Sequence, residues 1–189
     1  GQKGSLKIVL EARGRAAHSG YPDDGQSAIL PLLDTIDRIR KLPLPSDPLL
    51  GAGTVNIGVL QGGIAPNVVP PSARAELLMR LVGPSEQLRN EIAACASPEV
   101  SVTFPTELPY FKNIAPAPAG WATTVVSYAS DLPFLAAWGQ GFQLGPGTIR
   151  VAHTNEERIA KAELLEGAGL YVKLARDLLA DIRPPSAVS

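Results

Sequence analysis

Leu6, Ile8 and Leu10 alternate with Lys7 and Glu11 in the stretch SLKIVLEAR, the two-residue period of a strand with one buried face. Such a strand needs neighbours along its edges and a layer over its apolar side, so the following segments must supply both. They do so in a definite order. Ile29, Leu32, Leu33, Ile36 and Ile39 recur at helical spacing against Asp34, Asp37, Arg38 and Arg40, which predicts a helix from near Ser27 with Pro31 tolerated early in it. The three prolines between Leu42 and Gly53 predict a loop. Val55, Ile57 and Val59 alternate as a second strand, and Ala75, Leu77 and Met79 as a third whose other face carries Arg74, Glu76 and Arg80. A helix opens at Pro84 and runs through Leu88, Ile92 and Cys95 or Ala96, after which Val100, Val102 and Phe104 form a fourth strand. This order of strand, helix, strand, strand, helix, strand predicts an α/β (α+β) fold. It is the ferredoxin-like βαββαβ pattern, a four-stranded antiparallel sheet with two helices on one face.

Beyond about residue 106 the character changes. ELPYFKNIAPAPAG is a Pro/Ala-rich connector, followed by a predicted helix over 131–138, a short strand in GFQLG and the loop GPGTIRVAHTNEE. Ala160, Leu164, Ala168, Tyr171, Ala175 and Leu178 then mark a long helix that Pro184-Pro185 stop. These are parts of an α/β layer with too few strands for a sheet of their own.

Lys and Arg number 17 against 18 Asp and Glu, a net charge of -1, and no basic run occurs, so neither nucleic acid nor an anionic membrane is an expected partner. No apolar stretch reaches the roughly 20 residues of a membrane-spanning helix. The single Cys95 rules out an internal disulfide framework and a cysteine zinc cluster. GQKGSLKIVL lacks the shape of a signal peptide, and the sequence leaves a cytoplasmic and a secreted location both open.

Four strings in order, GRAAHSGYPDDGQSAI, GVLQGGIAPNVVPPSARAELLMR, YASDLPFL and LGPGTIRVAHTNEE, resemble successive signatures of one family. It is the two-zinc hydrolase family of acetylornithine deacetylase, succinyl-diaminopimelate desuccinylase, aminoacylase and glutamate-releasing carboxypeptidases. The resemblance covers the second half of a family member. It implies that residues 1–110 form the dimerisation, or lid, domain and that 111–189 form the C-terminal portion of a zinc-exopeptidase-like catalytic domain. In the family the first half supplies a His-x-Asp pair, a bridging Asp and a Glu-Glu pair. This chain has no His-x-Asp, and its Glu156-Glu157 follows the last motif, so it does not correspond to the catalytic pair.

On the residues alone, His18 is a loop histidine satisfied by backbone or solvent. The resemblance makes it the lid imidazole that reaches into a partner's site and donates to the scissile carbonyl oxygen as negative charge develops there. Asn67 reads as a turn-forming residue, or by resemblance as a lid amide that contacts substrate. Arg80 reads as a surface charge, or by resemblance as the grip on a substrate carboxylate, for which a planar guanidinium is suited. Arg74 reads as structural, and Asp131 as orienting its loop or capping the next helix. His153 alone cannot fix a metal; the resemblance makes it a terminal ligand of a pair of zinc ions, or cobalt, whose other ligands lie in the first half. Gly145 would let substrate approach the backbone. The implied substrate is a small N-acyl amino acid or peptide, the implied assembly a homodimer through the lid, and this chain alone is expected to be inactive. A non-catalytic dimerisation or binding module, and a catalytic centre shared with a separate chain, are the alternatives.

Overall fold

In the computed structural model the first strand, β1 (Gly4–Arg13), lies inside a sheet and not at its margin. It pairs antiparallel with β5 (Ser72–Leu81) along its whole length on one side and with β6 (Val100–Leu108) on the other. β4 (Thr54–Gly62) adds to the far side of β5, which gives the order β4-β5-β1-β6. Helices α1 (Ile29–Arg40) and α2 (Glu86–Ala94) complete the expected βαββαβ arrangement. The structure describes residues 1–113 and 116–180.

The alternation seen in the sequence decides which face is covered. Leu6, Ile8 and Leu10 of β1 and Ala75, Leu77 and Met79 of β5 are almost wholly buried. They share one cluster with Leu32, Ile36 and Ile39 of α1 and Leu88 and Ile92 of α2. Each large side chain buried there stabilises the fold by about 1.5–3 kcal/mol over leaving it exposed. The open face is polar. Glu76 receives Lys7 at 2.7 Å and also the guanidinium of Arg74, which reaches Glu11 at 3.3 Å, so Arg74 is tied into the sheet surface as expected of a structural residue. The Lys7 contact and then that of Arg74 hold the Glu76 carboxyl below its ordinary range.

Several details depart from the sequence reading. The proline-rich stretch 42–53 contains two short paired strands, β2 (Ser46–Asp47) and β3 (Gly51–Ala52), closed by a turn in which Asp47 Oδ1 accepts the N–H groups of Leu49 and Leu50, each at 2.9 Å. The alternation of β4 is interrupted at Gly58 by a bulge, and β6 bulges opposite Ile8, where Pro105 stands. GFQLG is not a strand. A lone extended segment gains nothing without a ladder partner, and no strand pairs with it among the described residues.

The chain divides into two compact units, the first comprising Gly1–Lys112 with Thr124–Leu135. The segment 124–135 groups with the first unit because Val126 N–H donates to Gly1 O at 3.0 Å, Lys3 N–H to Val126 O at 3.1 Å, and Ser130 Oγ to Gln2 Oε1 at 2.5 Å. Ser130 Oγ also accepts the Leu132 N–H at 3.3 Å, so Ser130, and not Asp131, provides the side-chain cap there. The second unit, among described residues, comprises Asn113–Thr123 without 114 and 115, and residues 136–180. Its long helix α3 (Lys161–Ala180) is anchored by Trp121 Nε1 donating to Asp177 Oδ2 at 2.7 Å. Gly167 lies against Pro146, whose Cβ would be 3.0 Å from an added side-chain carbon. The predicted stop at Pro184-Pro185 lies outside the described residues.

Leu77→Ala should lower unfolding free energy by about 2–5 kcal/mol in urea melts, since it empties a site in the middle of the core. A second expectation concerns pH. Lys112 bonds the Asp47 side chain, and that contact, followed by the Leu50 N–H, holds its carboxyl below the ordinary value. A lowered folded-state pKa contributes stability that is present above the unfolded value of about 3.9 and is lost as pH falls below it. Asp47→Asn should therefore lower Tm at neutral pH, with the gap from the native chain closing in thermal melts taken at progressively lower pH.

Candidate functional site

The loop after β1 folds back on itself and is held by backbone bonds on both sides. Arg15 and Gln26 exchange N–H···O bonds of 2.8 and 2.9 Å, while Ala17 O accepts the Val69 N–H at 2.8 Å and Asn67 O accepts the Ser19 N–H at 3.0 Å. Residues 15–19 thus lie between Gln26 and the 67–69 segment, with His18 bridged to Val68. Two glycines make this closeness possible. A Cβ at Gly14 would sit 2.0 Å from Gln26 O, and one at Gly25 would meet Ala17 Cβ at 2.8 Å and Val69 Cγ1 at 2.9 Å. On the facing segment Val68 N–H donates to Ala65 O at 3.1 Å, which closes a turn with Pro66 and Asn67 at its corners.

His18 and Asn67 are therefore neighbours, both exposed and both on short, hydrogen-bonded backbone. The imidazole Nδ1 accepts the Gly20 N–H at 3.1 Å, and the Tyr21 ring lies 6.1 Å away, centroid to centroid. Beside them opens a cleft of about 760 Å³ lined by Ser19, Pro22, Ile29, Leu30, Ile64 and Val68 among others. An exposed imidazole next to an exposed amide, on backbone that cannot easily sag, can hydrogen-bond a polar ligand brought to it.

Arg80 is elsewhere. It is half-buried near the end of β5, paired with Ser5 and Thr54, and roughly 26 Å along the strand from Ser72 at about 3.3 Å per residue. Within one copy the structure does not bring Arg80 to His18. His153 belongs to the second unit, where it is exposed and takes a left-handed backbone (φ 63) that non-glycine residues adopt at a cost. Its N–H donates to Glu157 Oε2 at 2.8 Å, so one member of the Glu156-Glu157 pair serves the loop. Gly145 has open space around an imagined Cβ and no left-handed φ, so the backbone there is accessible but does not demand glycine. Among the described residues no three His, Cys, Asp or Glu side chains are grouped to hold a metal ion. A two-zinc centre therefore does not fit the described donors by themselves.

Sequence reasoning gives Gly20 and Gly25 no role beyond marking a turn-rich stretch, and Tyr21 none. The signal for the first was the spacing His-x-Gly, in which a backbone amide two residues on can reach the ring of the preceding side chain.

Residues 1–101 match the family described as the peptidase dimerisation domain. The chain belongs to the peptidase dimerisation domain family. A probable carboxypeptidase of Paracoccidioides brasiliensis is 37% identical over 197 residues, covering 92% of this chain and 45% of the relative. A peptidase M20 domain-containing protein of Schizosaccharomyces pombe is 34% identical over 178 residues, covering 92% of this chain and 44% of its own length. The chain thus spans less than half the length of these curated relatives. Among solved structures, aminopeptidase PepT from Bacillus cereus aligns with a TM-score of 0.67 at 23% identity over 94% of this chain and 52% of its own. A tripeptidase from Staphylococcus aureus aligns at 0.64 and 22% identity over 92% of this chain and 51% of its own. At that identity the structures establish the fold. The family matches bear out the resemblance carried by the four sequence strings.

In this peptidase dimerisation domain, Gly25→Ala should pry the 15–19 segment from the 67–69 segment. The expected outcome is faster hydrogen exchange at the Val69 and Ser19 amides, with exchange in β1 and β5 unchanged.

Proposed function

We propose that residues 1–110 are the lid, and 111–189 the C-terminal catalytic portion, of a metal-dependent peptidase or N-acyl-amino-acid deacylase that cleaves an amide bond in a small peptide or N-acyl amino acid. The observation that supports this reading is the placing of His18, bridged to Val68, beside the turn that holds Asn67, on braced backbone at one end of the sheet. In that role His18 donates to the carbonyl oxygen as it gains negative charge in the active site of a second copy, and Asn67 contacts the substrate from the same side. Such a donor is effective because it is already oriented before charge develops. Arg80, at the opposite end of β5, would bind the substrate carboxylate through its planar guanidinium in the site of its own copy. That distance is no obstacle when the two residues serve different sites of a dimer. Gly145 would lie against bound substrate. The two zinc ions, or cobalt, that the resemblance implies need donors beyond those of this chain, and His153 would add one ligand to them.

The homodimer has a favoured edge. β6 carries Pro105 at its bulge, and a proline on an edge strand discourages further pairing. β4 has neither proline nor charge over Thr54–Gly62, its outer ladder is unpaired in the sheet order, and its Ile57 and Leu60 are exposed. An edge of this kind, flanked by apolar side chains, is a template for pairing with another copy.

Sedimentation of the full chain should show a dimer that Leu60→Glu converts to monomer; a native chain that stays monomeric at high concentration removes the dimer. The chain with zinc or cobalt should not hydrolyse dipeptides or N-acetyl amino acids above a metal-only blank. Joined behind the N-terminal half of the Paracoccidioides relative it should do so, and His18→Ala there should lower kcat by about 100- to 1,000-fold. A kcat left unchanged by that substitution defeats the catalytic reading.

A further inference from the structure

We propose that the Gly20 backbone amide is a positioning group for His18, fixing its neutral ring with the proton on Nε2 so that the residue presents one hydrogen-bond donor of set direction. The inference rests on the reading of His18 given above for its purpose, though not for its geometry. A neutral imidazole has one N–H and one bare nitrogen. The Gly20 N–H points at Nδ1 from 3.1 Å, and a donor there can be accepted only if Nδ1 is the bare nitrogen. The proton then resides on Nε2. The alternative tautomer would set two N–H groups against each other.

Position 20 also favours a small residue. A Cβ there would lie 3.2 Å from Nδ1 and 3.4 Å from Cε1, so a side chain makes the ring give by a few tenths of an ångström and lengthens its bond to the amide. Gly20 is not left-handed, so backbone conformation does not demand glycine, and the ring contact explains the residue. Around the ring the chain is closed by a second bond, Tyr21 N–H to His18 O at 2.9 Å, which makes 18–21 a tight turn. The Tyr21 ring, inclined at 53° to the imidazole, stands near it. A flexible histidine would divide its time among rotamers and both tautomers. This one is held to a single form before any ligand arrives, and orientation in advance is what an oxyanion donor needs.

The test is nuclear magnetic resonance on the ¹⁵N-labelled full chain at a pH where the ring is neutral, with His153→Gln used to tell the two imidazoles apart. The expected result is a through-hydrogen-bond ¹⁵N–¹⁵N coupling between the Gly20 amide and His18 Nδ1, with His18 ring shifts of the Nε2–H form. Gly20→Ala should weaken the coupling and raise the Nδ1–H population while the β-sheet amide spectrum stays intact. A neutral ring without that coupling, or a Gly20→Ala variant with unchanged coupling and ring shifts, overturns the proposal. Should Gly20→Ala disturb the sheet spectrum, His18→Asn decides: its side-chain carbonyl can take the place of Nδ1, so the Gly20 amide should keep slow exchange there and lose it in His18→Ala. Equal exchange in those two variants overturns the proposal as well. None of these readouts involves catalysis, so the turn can stand or fall apart from the hydrolase reading.

Discussion

The antiparallel pairing of β1 with β5 is the contact on which the rest of the first unit depends. Ten residues of each strand face one another in unbroken register, and every second one delivers an apolar side chain to the same layer. A slip of β1 by one position would turn Leu6, Ile8 and Leu10 out to solvent and Lys7 and Glu11 into the interior, so the register is set by the cost of burying charge as much as by the gain from burying hydrocarbon. The two helices then need only cover a face that is already assembled.

That rigid pair also carries the candidate site. The His18 loop leaves the end of β1, and the Asn67 turn precedes β5, so strands paired along their length oblige the two loops to emerge side by side. Cross-bonds from Ala17 and Ser19 to the 67–69 segment then continue the strand pairing past the formal ends of the sheet. The placement of imidazole and amide is inherited from the core, which is the arrangement that gives a site its precision.

The strands and helices of the first unit were legible because each has an amphipathic period and a wet side, and residues such as Leu77 and Ile36 occupy the positions those periods assign. The four strings with their histidines and asparagine were legible as family signatures. Other features could not be read. GFQLG has the composition of a strand, but composition does not provide the neighbour a strand must bond. The β2–β3 pair is stabilised by Asp47 gathering two backbone amides and Lys112, a contact between residues far apart in sequence. The bond from the Gly20 amide to the ring of His18 is local, yet a glycine at that spacing has too many ordinary uses for the residue type alone to reveal it.

The inequality between the two margins of the sheet has a consequence for how large an assembly can grow. One margin carries a proline that cannot donate and the other a bare ladder, so in the proposed pairing through β4 each copy uses up the bare margin of its four-stranded sheet. Association of that sort, edge to edge about a twofold axis, leaves β6 as the free margin of the four-stranded sheet in each copy, and the ring of Pro105 there works against a ribbon that grows strand by strand.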